Sequence, residues 1–180
     1  AAEVKDGQVT RFSAEPLAAI MVFDRDAWWQ TPFVFGAMLF GSLVVLLLTL
    51  LAWPVSAMVR RHYGVRYALT GADAQSHRRV RWASLLVFVS MAGMIGMVLA
   101  MMADLDMMGP AFDKWVILAR GLATFALPIG AIVSLWNAWS VLRSPRSWWA
   151  KLWAIVLAAA CVSLLFVGIA CHVMGFSANY

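Results

Sequence analysis

The chain has 180 residues, 63% of them hydrophobic and 13% charged, against roughly half apolar and a quarter charged in a water-soluble domain. That composition excludes an ordinary soluble globule and calls for a bilayer as solvent. Fourteen Lys and Arg against nine Asp and Glu give a formal net charge of +5, and the placement of the basic residues says more than their sum.

The first thirty-one residues differ in kind from the rest. Val4-Lys5-Asp6-Gly7-Gln8-Val9 sets Asp-Gly between short β-prone arms, the usual signal of a two-residue hairpin turn. The arm before the turn is short, so only half a hairpin is expected. Ile20-Met21-Val22-Phe23 reads as a further short strand with no sheet to join. An isolated two-stranded ribbon is marginal in water. The segment is therefore expected to be the end of a longer extracytoplasmic β-containing domain, or else a processed N-terminus.

Four apolar runs follow, at about 32–59, 82–103, 115–142 and 148–175. Each exceeds the roughly twenty residues that cross about 30 Å of hydrocarbon. The fold expected is an all-α four-helix transmembrane bundle behind the short β segment. In the first run Thr31 and Pro32 supply an N-cap and a first-turn proline, while Pro54 would bend or loosen the last turns.

Orientation follows from the connections. The first holds Arg60, Arg61, Arg66, Arg78, Arg79 and Arg81 against a lone Asp73, with Thr70 to Val80 as a candidate interfacial helix. The third carries Arg143, Arg146 and Lys151 without an acid, and the second holds Asp104, Asp106, Asp113 and Lys114. Short loops rich in Lys and Arg stay cytoplasmic, which places both termini outside, in a bacterium the periplasmic side of the inner membrane. The belt preference of Trp agrees. Trp28, Trp29 and Trp115 fall at outer edges; Trp53, Trp82, Trp136, Trp139, Trp148, Trp149 and Trp153 fall at or near inner ones. Attraction to anionic inner-leaflet lipid accounts for the basic loops without a nucleic-acid partner.

Within the spans, Arg120 is the conspicuous charge. A charge at the bilayer centre costs roughly 2.5–3.5 kcal/mol on insertion scales, and less at a shallower depth. It is expected to pair with Asp113, about two helical turns earlier on the same face, or with Asp104 or Asp106 on the adjoining loop. A contact with a substrate or ion is the alternative, and His172 is a further candidate for that cluster. In the second run Met91, Met94, Met97 and Met101 share one face while Gly93, Gly96 and Ala100 occupy the other. The small residues are expected to form the helix-packing seam, with the Met face filling irregular space or meeting lipid. A thioether stripe suits copper(I), but no Cys or His stands at matching positions. In the third run Pro128 beside Gly130 predicts a kink, with Ser134 and Asn137 bonding to neighbours or freed carbonyls.

Ten residues of helix separate Cys161 from Cys171 by roughly 15 Å, beyond the reach of a disulfide. His62 and His77 fall in a predicted loop and His172 stands alone, so no haem pair is expected. The chain has no Gly-rich phosphate loop, Ser-x-x-Lys or His-Glu-x-x-His. Neither a cofactor nor a catalytic residue is expected.

Several segments carry a family likeness: Asp6-Gly7-Gln8-Val9-Thr10-Arg11-Phe12-Ser13, Met21-Val22-Phe23, Leu51-Ala52-Trp53-Pro54-Val55, Val59-Arg60-Arg61-His62-Tyr63-Gly64, Leu69-Thr70-Gly71 and Asn179-Tyr180. Together they resemble the C-terminal membrane tail of beta-lactamase-related, penicillin-binding-protein-like serine hydrolases. The resemblance implies a periplasmic domain upstream in the same polypeptide, with a Ser activated by a Lys three residues on, a Tyr-x-Asn element and a third motif. None of these motifs occurs in this chain, so this segment is expected to be a non-catalytic anchor. The alternatives are a small stand-alone transporter or membrane-complex subunit, and a sensor or structural interaction module.

Overall fold

The structure is a computed structural model that describes residues 2–5, 8–13, 22–24, 31–64, 71–104 and 110–175. The chain divides into two compact units, residues 1–36 and 37–180. In the first, β1 (Ala2–Lys5), β2 (Gln8–Ser13) and β3 (Val22–Asp24) form an antiparallel sheet in the order β1-β2-β3. Lys5 pairs with Gln8 on either side of Asp6-Gly7, and Phe12 pairs with Phe23. The 22–23 segment therefore does have a sheet to join, contrary to expectation. Its partner is the same strand that faces β1, so the ribbon reaches the three strands that a small sheet needs. Asp6 and Gly7 themselves lie outside the described residues.

Four helices follow: α1 (Pro32–Tyr63), α2 (Gly71–Ala103), α3 (Pro110–Arg143) and α4 (Trp148–Ala170). All four are long and apolar enough to cross a membrane, and the fold is the expected all-α membrane bundle. The Thr31 carbonyl accepts the Phe35 amide at 3.1 Å, which opens α1 ahead of Pro32. The helix runs on past Pro54 and ends at Gly64, whose φ of 63° is the left-handed cap that glycine adopts without penalty.

Four boundaries differ from expectation: α1 runs past 59 to Tyr63, which puts Arg60, Arg61 and His62 on helix rather than in a loop, and α3 starts at Pro110 rather than 115. α2 starts at Gly71, about three turns before the apolar run at 82, so the candidate interfacial helix at 70–80 is continuous with the second run and carries His77, Arg78 and Arg79, with Arg81 beyond it, on one helix. Hydropathy marks where a helix enters hydrocarbon, which is not where it begins. α4 stops at Ala170, short of the expected 175. The His172 amide donates to the Ile169 carbonyl (3.1 Å) and the Val173 amide to the Gly168 carbonyl (3.0 Å), a Schellman closure with His172 at the left-handed position, φ 51°.

α2 packs on α3, and α3 on α4. The main core joins Leu46, Val80, Val87, Met91, Ala123, Leu127, Leu157, Cys161 and Leu164, with a smaller cluster of Ala138, Val141, Ala154 and Ala158 between α3 and α4. Alanines at a helix seam let backbones approach closely. The two close approaches lie elsewhere than predicted. A Cβ built on Gly130 would overlap Val87 Cγ2, and one on Gly168 would overlap Leu127 Cδ1. Gly93 and Gly96, expected to form the seam, are exposed with nothing within 4 Å of an added Cβ, and Ala100 is half-buried. The side of α2 that packs inward carries Met91, 3% exposed, and the half-buried Met94, Met97 and Met101. Flexible thioethers fill the gaps there, while Gly93 and Gly96 meet no other helix among the described residues.

α1 is the outlying helix. Only 11% of its most apolar stretch is buried, against 44% in α4. Its ties are side chains: Leu46 in the core, a 3.2 Å hydrogen bond from Trp153 Nε1 to Thr49 Oγ1, and the edge-on pair Trp53–Trp82 at 5.8 Å.

Candidate functional site: two polar ends of the bundle

At the end of the bundle where α2 finishes and α3 begins, Arg120 reaches across from α3. Its Nη2 donates to the His172 carbonyl at 2.9 Å. One turn further along α3, Thr124 Oγ1 donates to the Arg120 carbonyl (2.8 Å) and accepts the Gly175 amide (2.9 Å). Arg120 and Thr124 thus clasp the strap that follows α4. Of the expected acidic partners, Asp113 is half-buried in the first turn of α3, Asp104 is exposed just past α2, and Asp106 lies outside the described residues. Cys171 and His172 also border an apolar cavity lined by Met94, Met97 and Met101. His172 does join Arg120, as the sequence suggested, but through its main-chain carbonyl, and its proximity to the Met side chains of α2 was not foreseen. Among the described residues no group of three or more His, Cys, Asp or Glu could hold a metal ion.

The opposite end is more polar. A cavity of about 220 Å³ opens where α1 finishes and α2 begins, and where α3 finishes and α4 begins. His77 and Arg81 line it from α2, one turn apart on a single face. Asn137 lines it from α3, Arg146 from the turn before α4, and Thr49, Trp53 and Ser56 from α1. Arg81 Cζ sits 5.4 Å from the Trp53 ring centroid, a cation–π contact that fixes the guanidinium beside the cavity wall. Ser76 Oγ donates to Asn137 Oδ1 at 3.3 Å.

The cations expected from sequence to set orientation fall into two groups. Arg61, Arg78, Arg79 and Arg143 are exposed; Arg60, Arg81, Arg146 and Lys151 are half-buried. Arg66 lies outside the described residues. Arg143 stacks over Trp139 at 4.1 Å, as expected of a snorkelling side chain in an aromatic belt. Trp53 and Trp153, read from sequence as belt residues, also line the cavity.

No protein-family model, characterised protein or solved structure matches this chain. The reading of its sites rests on geometry.

Proposed function

We propose that residues 32–180 form the membrane anchor of a periplasm-facing serine hydrolase of the beta-lactamase-related type, and that this segment is itself non-catalytic. The observation that carries the anchor reading is the outward face of the four helices. Phe40, Leu118 and Ile132 are each more than 60% exposed within the chain, a surface that only lipid accommodates over four adjacent helices. The hydrolase attachment is supported by the sequence resemblance, by the separate compact β unit ahead of α1, and by the positive-inside rule, which puts that unit outside the cell membrane.

The test is activity labelling of native membranes with a fluorophosphonate probe and a fluorescent penicillin, followed by capture with an antibody to the 71–104 segment. The expected result is a labelled polypeptide larger than the 180-residue chain, with labelling lost when its upstream serine is replaced. Capture of an unlabelled polypeptide no larger than this chain overturns the proposal in favour of a stand-alone membrane subunit.

A further inference from the structure

We propose that the cavity between α2 and the strap that follows α4 is a binding site for copper(I), with the thiolate of Cys171, the imidazole of His172 and the thioethers of the α2 methionine face as its ligands.

Three observations carry this assignment. The first is convergence. The methionine face of α2 suits a soft ion, but within that helix no thiol or imidazole stands beside it. The turn that closes α4 brings Cys171 and His172, far downstream in the sequence, to the same cavity as Met94, Met97 and Met101. Sulfur and nitrogen donors from two separate elements thus line one space of about 390 Å³. The three methionines are half-buried, whereas Met91 is sealed in the core, so their flexible arms have the freedom to close on an ion.

The second is that these side chains are uncommitted. Cys171 is a free, exposed thiol. The hydrogen bonds of Cys171 and His172 run through the main chain: their amides donate to the Val167 and Ile169 carbonyls, and the His172 carbonyl accepts from Arg120. Among the described residues no hydrogen bond engages the thiol or the imidazole. Zinc is served by Cys, His and carboxylate, and no group of three such residues stands together among the described residues. Copper(I) takes thioether sulfur in their place.

The third is the backbone at His172. Its φ of 51° is a conformation that glycine adopts without penalty and an L-residue does not. A side chain kept at a strained position points to a use for that side chain, and an imidazole beside three thioethers and a thiol has one. Charge is balanced as well. The coordinated thiol gives its proton to solvent and receives Cu⁺ in exchange, with no change of oxidation state. The net charge of the site is unchanged, so the Arg120 guanidinium that also borders the cavity meets no added cation. The proposal is independent of any upstream hydrolase.

The experiment uses the full chain in maltoside micelles under anaerobic, reducing conditions. Cu(I) is titrated in the presence of bicinchoninate, whose coloured complex reports the copper that the protein withdraws. One Cu(I) per chain should be withdrawn. Cys171→Ser, His172→Gly and Met97→Leu should each weaken binding about tenfold or more. Met97 is the methionine within a turn of both Met94 and Met101. Met102→Leu, at a position 75% exposed, should change binding less than about twofold. X-ray absorption of the copper-loaded protein should show sulfur as the main ligand, with a nitrogen contribution that disappears in His172→Gly. That variant should hold or raise the thermal midpoint, so its loss of copper is separable from a loss of fold. If Cys171→Ser or Met97→Leu loses its helical circular dichroism, the Ala variant at the same position takes its place. Parental affinity in any of the three cavity variants, an equal loss in Met102→Leu, a copper spectrum without sulfur, or tighter binding of Zn(II) than of Cu(I) overturns the assignment.

Discussion

Arg120 Nη2 lies 2.9 Å from the carbonyl oxygen of His172, so a guanidinium on α3 holds the main chain of the one described non-glycine residue with a positive φ. The two features support each other. A left-handed backbone costs an L-residue roughly 1–2 kcal/mol, and it persists where surrounding contacts over-determine it. Here the Schellman hydrogen bonds, the Arg120 donor and the Thr124–Gly175 bond do so.

Replacing Arg120 by Leu should leave membrane insertion intact, since it removes a charge from an apolar span. It should also release the strap and lower stability by about 1 kcal/mol, the scale of a charge-assisted bond that is partly open to solvent. Thermal unfolding in detergent reads this out, and an unchanged midpoint would show that the clasp contributes nothing. The proposed ion pair with Asp113 has its own test: Arg120→Leu and Asp113→Asn should cost less together than the sum of their separate costs.

At His172, Gly is the better residue for the backbone. His172→Gly should hold or raise the unfolding midpoint, with a gain of up to about 1 kcal/mol. His172→Val should lower it, because a β-branched residue tolerates positive φ least. Should Val match His, the strap does not close α4 in this way.

Gly130 and Gly93 make opposite predictions. Gly130→Val forces a side chain into Val87 and should cost about 1–3 kcal/mol as overpacking, with partial recovery in a Gly130→Val, Val87→Ala double variant. Gly93→Ala meets open space and should be neutral or stabilising by up to about 1 kcal/mol through helix propensity. Denaturant titration of the purified protein distinguishes the two; a costly Gly93→Ala would restore the glycine face as a packing seam.

Orientation is checked with reporter fusions. Alkaline phosphatase joined after Ser144 should be inactive and joined after Gly175 active, since the former lies on the arginine-bearing side. The reverse pattern would invert both the topology and the side of the membrane on which the proposed copper site lies.

The number of helices was legible in the sequence because hydrophobic length maps directly onto bilayer thickness. The start of α2 was legible only in part, because the charges at Arg78, Arg79 and Arg81 set the candidate helix at 70–80 apart from the apolar run with which it proves continuous. The packing seam was misread for a related reason. Small residues mark a face that can approach a neighbour, and only the fold decides whether a neighbour is there; Gly130 met Val87 while Gly93 met nothing. Of the cavity at the arginine-bearing end, one fragment was present in the sequence, the i, i+4 pair of His77 and Arg81 once that segment is taken as helix. Asn137 and Arg146 join it through the pairing of four helices, which no local pattern encodes.

The loose seating of α1 has a mechanical meaning. Of the four helices α1 has the least buried apolar stretch, and it is tied in through Leu39, Leu43, Val45, Leu46, Thr49 and Trp53. A pull transmitted along α1 would act on the cavity at the arginine-bearing end, because Thr49, Trp53 and Ser56 line it and the Trp53 ring holds Arg81.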